Sequence, residues 1–152
     1  MEEKHMDYII SSFKGKYAFL SNFFSAPVEY LGYCFENNEA AFQGAKCPER
    51  MGEFCNLNPS LAKRLGRRVI LRSDWESAKY EVMYQVCLAK FSQNPDLRKK
   101  LIDTGNAELI EGNTWGDRIW GTCNGVGENH LGKILMRIRQ ELTEKFVSGI
   151  NA

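Results

Sequence analysis

Apolar and polar residues recur along the chain with periods that predict a protein built mostly of helices. Residues 7–13 have the alternation of a first strand, and residues 28–35 predict a β-hairpin that turns at Leu31-Gly32. Apolar residues at helical spacing predict a long helix over residues 75–91 and a last helix after Asn129.

Capping residues and prolines predict where the shorter helices begin and end. An Asn side chain accepts hydrogen bonds from the first helical N–H groups, and Pro fits only the first turn. Ser73 and Glu76 have the spacing of a capping box. Helix starts are predicted at Asn37 or Asn38, at Pro59, at Ser73 and at Asn94-Pro95, and helix ends at Cys47-Pro48, Gly66 and Thr104-Gly105.

The order of these elements indicates an α+β fold. About five helices and a small β-sheet, with a short strand over residues 107–111, predict one mostly helical domain over residues 1–152. The strand–helix alternation of a doubly wound fold is absent. Residues 112–127 form a loop punctuated by glycines, and so long a loop in a compact domain is more often functional than not.

The composition argues against several classes of protein. The 152 residues carry a net charge of +1, unlike a non-specific nucleic-acid coat protein. Five cysteines without a Cys-x-x-Cys pair, and only two histidines, argue against a disulfide framework or a metal site. We therefore expect no metal and no cofactor. With no apolar run of membrane-spanning length, we expect a cytoplasmic protein without a membrane partner.

Glu39, Gln43 and Lys46 form the most informative polar pattern. Their i, i+4, i+7 spacing places an acid, an amide and an amine on one face of a helix whose other positions are mostly small or apolar. Burying such groups without partners is costly, so the pattern favours a functional site. The competing interpretation is a salt-bridged helix surface.

Two other segments combine aromatic rings with polar groups. In residues 19–23, Asn22 between aromatics is placed to bond a base edge or a sugar hydroxyl while a ring stacks. In residues 115–121, Asp117 lies between two tryptophans, a setting that favours a general acid. The alternatives are an Asn-stabilised turn beside core phenylalanines, and a loop in which Trp120 anchors the core while Asp117 caps a turn.

Anion-binding groups occur in two further places. Residues 63–68 are rich in Lys and Arg, which suit phosphate, although a solvated charged face explains them equally well. The start of the last helix, after Gly125, offers backbone N–H groups to an anion. No nucleophile elbow, Walker loop or dinucleotide fingerprint is present. Carboxylates, a lysine, aromatics and arginines together suggest cleavage at the anomeric carbon of a phosphorylated, nucleoside-like ligand.

The order of the motifs resembles the YbiA/NADAR family over about residues 13–142. The matching motifs are Phe19-Leu20-Ser21-Asn22-Phe23, Glu39-x-x-Phe42-Gln43-x-x-Lys46, Ala62-Lys63-Arg64-Leu65-Gly66-Arg67, Trp75-x-x-x-Lys79, Lys90-Phe91-x-x-Asn94, Asp117-x-x-Trp120-Gly121 and Gly127-x-Asn129-x-Leu131-Gly132-x-x-Leu135-Met136-x-x-Arg139. Each motif alone is weak, but all of them in order are specific. Asn37 and Ala40 depart from the family pattern, which affects the substrate more than the class.

The resemblance implies a cofactor-free N-glycosidase. Family members resemble enzymes that cleave the phosphoribosylamino-pyrimidine intermediates of riboflavin biosynthesis, and this is the expected substrate class. Other members resemble hydrolases that remove ADP-ribose from guanine in DNA, which makes ADP-ribosylated DNA the alternative partner. A non-catalytic ADP-ribose or nucleotide reader is a further alternative. The oligomeric state and any toxin partner stay open.

The resemblance and the residue chemistry together give a set of site candidates. Glu39 is expected to stabilise the sugar cation or activate water, Asp117 to act as acid or ribose ligand, and Lys46 to orient Glu39, contact phosphate or bond the opened sugar. The substrate-binding candidates are Phe19, Ser21, Asn22, Phe23, Gln43, Arg64, Arg67, Trp115, Trp120, Gly121 and Asn129.

Overall fold

The computed structural model describes residues 8–151, and the side chains of residues 8–145. Its contacts divide the chain into two compact units, Asn22–Asn94 and the pair of segments Met1–Ser21 and Pro95–Ala152. Within residues 8–151 no helix combines the length and the apolar character needed to cross a membrane. The prediction of one domain over residues 1–152 stays a prediction.

The central unit contains a hairpin followed by three helices. Its elements are β2 (Ser25–Tyr30), β3 (Tyr33–Asn37), α1 (Asn38–Gly44), a 3-10 helix (Pro48–Phe54), α2 (Pro59–Gly66) and α3 (Trp75–Gln93). Strands β2 and β3 are antiparallel and turn at Leu31-Gly32, both with positive φ, as a tight hairpin turn requires. The predicted hairpin is confirmed.

Helix α1 begins where its cap predicts. The Asn37 Oδ1 atom accepts a hydrogen bond from the Ala40 N–H at 2.8 Å, so Asn37 is the N-cap of α1. Asn37 is also one of the two residues that depart from the family pattern. Helix α1 ends at Gly44, before the predicted Cys47-Pro48, because Pro48 begins the separate 3-10 helix. All seven residues of α1 are buried, including Ala40.

Helices α2 and α3 begin near the predicted residues, but the cap predicted for α3 is not formed. Helix α2 begins at Pro59 after an Asn58 cap. Helix α3 begins at Trp75 without a side-chain cap, so the capping box predicted from Ser73 is wrong. The adjacent Asp74 carboxylate is instead paired with the Arg72 guanidinium at 2.6 Å.

The second unit contains short parallel strand pairs and two helices. Its elements are β1 (Ile9–Ile10), a 3-10 helix (Gly15–Leu20), α4 (Pro95–Asp103), β4 (Glu108–Leu109), β5 (Gly112–Asn113), β6 (Thr122–Cys123) and α5 (His130–Asn151). Strand β1 pairs with β4, and β5 pairs with β6. The first strand is shorter than predicted over 7–13, and residue 7 lies outside the described residues. The α+β prediction is confirmed, with two-stranded pairs in place of one sheet.

The start of α5 is attached to β4 by a buried side chain. Asn129 lies before the helix, as predicted, and its carbonyl accepts the Lys133 N–H. Its amide group donates to the Leu109 carbonyl and accepts from the Glu111 N–H, both at 3.0 Å. Gly132 lets the helix lie against this strand, because a side chain there would overlap the Leu109 carbonyl oxygen and the Asn129 amide.

We expect Gly132→Ala to lower the free energy of unfolding by about 1–3 kcal/mol, since the added methyl group forces α5 away from β4. Urea denaturation followed by circular dichroism measures the change. Lys133→Ala, at the exposed neighbouring position, is the control and should unfold like wild type. An unchanged unfolding midpoint for Gly132→Ala would contradict this packing.

Candidate active site

Helix α1 holds a carboxylate in the interior of the central unit. The Glu39 side chain is buried, with 8% of its surface exposed, and its Oε2 atom accepts a hydrogen bond from Gln43 Nε2 at 2.6 Å. The Glu39 backbone N–H donates to the Asn22 carbonyl at 3.0 Å. The i, i+4 pair is thus a buried bridge, and the alternative of a salt-bridged helix surface is wrong for these two residues.

Lys46, just after α1, lies in a field of mixed charge. Burial is the largest influence and lowers the pKa of its amine, whereas the Glu39 carboxylate opposes that shift. Arg67 and Lys63 lower the pKa further, and Glu76 raises it. Glu39, Lys63 and Arg67 therefore lie close enough to Lys46 for their charges to affect its pKa. Among residues 8–145, no acceptor lies within hydrogen-bond distance of the Lys46 amine.

Helix α2 adds the cationic part of this site. Arg64 and Arg67 are exposed, and neither forms an ion pair with any residue in the described part of the chain. The Lys63 amine lies 5.7 Å from the centre of the Phe23 ring, and Phe23 is 46% exposed. Lys63, which belongs to the same cationic segment as Arg64 and Arg67, therefore borders an accessible aromatic ring.

A buried polar cluster supports α1 from α3, and the sequence interpretation missed it. Asn22 Oδ1 accepts from Asn38 Nδ2 at 3.2 Å, and Asn22 Nδ2 contacts Met83 Sδ at 3.4 Å. Cys87 lies within 3.5 Å of the Asn38 amide. Because its amide is engaged inside the fold, Asn22 does not present the base-reading group that was predicted.

Lys90 is the charged member of this interior. Only 1% of its surface is exposed, and its amine lies 5.6 Å from the Phe24 ring and 5.0 Å from the Phe91 ring. Burial lowers its pKa to about 8, and burial raises the pKa of the Cys87 thiol to about 12. A lysine on an otherwise apolar stripe of α3 was the available sequence signal.

The aromatic motif of residues 19–23 has one phenylalanine in the core and another on the surface. Phe19 is buried, and the Lys100 amine lies 5.8 Å from its ring centre, so Phe19 is a core residue rather than a stacking surface. Ser21 is half-buried, and its backbone N–H donates to the Ala18 carbonyl. Of the two phenylalanines predicted to stack on a ligand, Phe23 is the exposed one.

Asp117 organises the glycine-rich loop. Its Oδ1 atom accepts hydrogen bonds from the Ile119 and Trp120 N–H groups at 3.0 and 2.9 Å. Its backbone exchanges hydrogen bonds with the Asn113 side chain. The alternative that Asp117 caps a turn accounts for this geometry, and its roles as acid or ribose ligand stay predictions.

The tryptophans of this loop differ in exposure. Trp115 is 60% exposed, whereas Trp120 is half-buried and meets His130 edge to face at 6.2 Å between ring centres. Gly121 is buried, and a side chain there would overlap the Glu111 carbonyl oxygen. Gly121 is therefore a packing residue, and Trp115 is the ring of this loop that is open to a ligand.

The start of α5 does not offer the anion site that was predicted. The four backbone N–H groups of residues 128–131 donate to the carbonyls of Arg118, Gly121, Ile119 and Trp120, respectively. The helix dipole therefore stabilises loop carbonyls in place of an anion. Asn129, whose amide is used between Leu109 and Glu111, is likewise a structural residue in this geometry.

Comparison with known proteins identifies the relatives of this chain. The family model described as the NADAR domain matches residues 5–143. The chain is 38% identical over 132 residues to N-glycosidase YbiA of Shigella flexneri serotype 5b (strain 8401), covering 83% of this chain and 82% of the relative. It is 35% identical over 134 residues to the "Riboflavin biosynthesis protein VVA0006" of Vibrio vulnificus (strain YJ016), covering 84% of this chain and 36% of that protein.

A solved structure has the same fold. The NMR structure of E. coli YbiA superposes with a TM-score of 0.82 at 32% sequence identity, covering 96% of this chain and 90% of that one.

The burial of Lys90 predicts a pH dependence of stability. Its pKa is about 8 in the folded protein and 10.5 for an ordinary lysine, so the unfolded state binds more protons between these values. Relative to Lys90→Met, the unfolding free energy of wild type should rise by about 3 kcal/mol between pH 8 and 10.5. Urea denaturation of both proteins from pH 7 to 11 measures the difference. A difference independent of pH would show that Lys90 titrates normally.

Proposed function

This chain belongs to the NADAR domain family, as its motifs predict, and on that premise we propose that it hydrolyses the N-glycosidic bond between a phosphorylated ribose and an aminated heterocycle. The expectation of an N-glycosidase is confirmed at the level of the enzyme class by relatives named N-glycosidase YbiA. A relative named as a riboflavin biosynthesis protein supports phosphoribosylamino-pyrimidines as the substrate.

The buried Glu39 carboxylate is the observation that carries the mechanism. Departure of a base from ribose leaves an oxocarbenium-like sugar, which a fixed anion stabilises strongly where water is excluded. Gln43 fixes one oxygen of Glu39 at 2.6 Å. We assign to Glu39 the stabilisation of the sugar cation and the activation of the attacking water.

Lys46 fits the complementary proton transfer. Its lowered pKa makes the ammonium group a better acid than an ordinary lysine, and it lies within electrostatic range of Glu39. The carbon–nitrogen bond breaks with its electron pair on the base nitrogen, which takes a proton from Lys46. Water supplies hydroxide to the anomeric carbon, and its released proton passes through Glu39 to restore Lys46.

The cationic residues fit the phosphate of the substrate. Arg64 and Arg67 are exposed on α2, and Lys63 borders the accessible ring of Phe23. Guanidinium groups bind phosphate oxygens in pairs, and an aromatic face stacks on a heterocycle. We therefore assign Arg64 and Arg67 to phosphate and Phe23 to stacking. Trp115, Trp120 and Ser21 stay predicted ligand residues.

ADP-ribosylated DNA is the second candidate substrate. Residues 54–71 contain four cations, at positions 63, 64, 67 and 68, and no acid. Such a stretch attracts the phosphates of a nucleic acid, which a small monophosphate does not require. In either case we place the protein in the cytoplasm, because its five cysteines are free thiols.

The proposal is tested by incubating purified protein with two substrates and detecting released base by mass spectrometry. Release only from the phosphoribosylamino-pyrimidine supports the first substrate. Release only from an oligonucleotide ADP-ribosylated on guanine supports the second. Binding of ADP-ribose without cleavage of either substrate would contradict the enzyme and favour a nucleotide reader.

We expect Glu39→Gln to lower kcat by about 10²–10⁴-fold while the protein stays folded, because the amide keeps the shape but loses the charge. Glu36→Gln is a matched control three residues earlier, on the exposed surface, and should keep full turnover. Thermal unfolding of both variants monitors folding. Full turnover by a folded Glu39→Gln protein would rule out the role of Glu39.

Substitutions of Asp117 separate a loop role from a chemical one. Asp117→Asn keeps an oxygen for the two N–H groups, so its turnover should stay within about threefold of wild type. Asp117→Ala loses both hydrogen bonds and should be about 1 kcal/mol less stable. Kinetics and thermal unfolding measure the two effects. A stable Asp117→Asn protein with turnover reduced a hundredfold would restore the acid role.

A further inference from the structure

Helix α2 ends at a glycine whose missing side chain is filled by the Gln43 amide. A Cβ atom on Gly66 would overlap Gln43 Oε1, and would lie 2.8 Å from Gln43 Cδ and 3.2 Å from Gln43 Cβ. All three nearest atoms belong to one side chain. Gly66 does not have a positive φ. The position therefore requires glycine because a side chain has no room there, and not because of its backbone conformation.

The orientation of that amide follows from its two ends. Nε2 donates to the Glu39 carboxylate at 2.6 Å, and the reverse orientation would place oxygen against oxygen. Oε1 therefore faces Gly66, and within the described residues this buried oxygen has no hydrogen-bond partner. A buried acceptor without a partner is unfavourable. The hydrogen bond that the other end of the same amide donates to Glu39 offsets this cost.

Helix α1 has little freedom to give way. On another side of it, a Cβ atom added to Gly44 would lie 3.2 Å from Met51 Cγ and 3.4 Å from Phe54 Cβ. Gln43 is itself 94% buried, since 6% of its surface is exposed. A methyl group at position 66 must therefore displace the Gln43 amide, because the helix cannot move away.

We infer that Gly66 and Gln43 are positioning residues for Glu39: Gly66 leaves the space in which the Gln43 amide bridges to the carboxylate and fixes its direction. Gln43, predicted as a substrate ligand, touches Glu39 and Gly66 in the described structure. This inference rests on the proposed function, in which Glu39 is the central carboxylate. It states that the contact between α1 and α2 sets the direction of that carboxylate.

The first readout needs no substrate. In ¹⁵N-labelled protein the side-chain amide protons of Gln43, bonded to a carboxylate, should resonate downfield of free glutamine amides. In Gly66→Ala they should move toward the free position. Ser60→Ala, an exposed site on the same helix, is the control and should leave them unchanged. Unchanged Gln43 resonances in a folded Gly66→Ala protein would overturn the inference.

The second readout is the division between kcat and KM. Loss of a hydrogen bond to a charged group corresponds to about a tenfold to hundredfold effect, so Gly66→Ala should lower kcat by that factor. KM should stay within about threefold, because Arg64 and Arg67 still bind the phosphate. A loss confined to KM would instead assign Gly66 to substrate binding and overturn the positioning role.

A double variant separates steric displacement from general damage to the fold. In Gln43→Ala the space beside Gly66 is empty, so adding Gly66→Ala should cost no further activity. Equal losses from Gly66→Ala in both backgrounds would overturn the inference. The failure of the proposed function is distinguishable: wild-type protein would then cleave neither substrate, while the Gln43 amide resonances would still respond to Gly66→Ala.

Discussion

The hydrogen bond between Gln43 and Glu39 is the interaction that holds a carboxylate inside the central unit. A carboxylate that is mostly withdrawn from water needs a partner, and the partner lies one turn later on the same helix. The bridge is made on a seven-residue helix whose positions are all buried. Exposing the polar face of α1 would also expose Ala41 and Phe42. The packing that buries these apolar residues therefore also keeps the Glu39 carboxylate buried.

This arrangement explains why small residues lie where α1 meets its neighbours. Ala40, Ala41 and Gly44 bring neighbouring elements close, and Gly66 admits the Gln43 amide. Close approach leaves Gln43 Oε1 and Asn38 Oδ1 buried without partners in the described residues. Only the first of these amides reaches the carboxylate: Gln43 donates to Glu39, whereas Asn38 donates to Asn22.

Local signals in the sequence were sufficient for the hairpin and most of the helices, but not for the roles of several side chains. The Asn37 cap and the Leu31-Gly32 turn depend on neighbours within three residues, and both are observed. The burial of Phe19 and the engagement of Asn22 by Asn38 and Met83 depend on packing between distant segments. The matched motifs contain residues of both kinds, and only the contacts separate a ligand from a core residue.

The electrostatics of the site give the last constraint. Lys63 and Arg67 lower the pKa of the Lys46 amine, because each nearby cation makes its protonation less favourable. The acids that oppose them at Lys46 are Glu39 and Glu76. A phosphate placed among these cations would relieve their repulsion and raise the proton affinity of Lys46 while the substrate is bound. In the proposed mechanism such a phosphate would keep Lys46 protonated until the base departs, so the loss of phosphate contacts would weaken proton transfer as well as affinity.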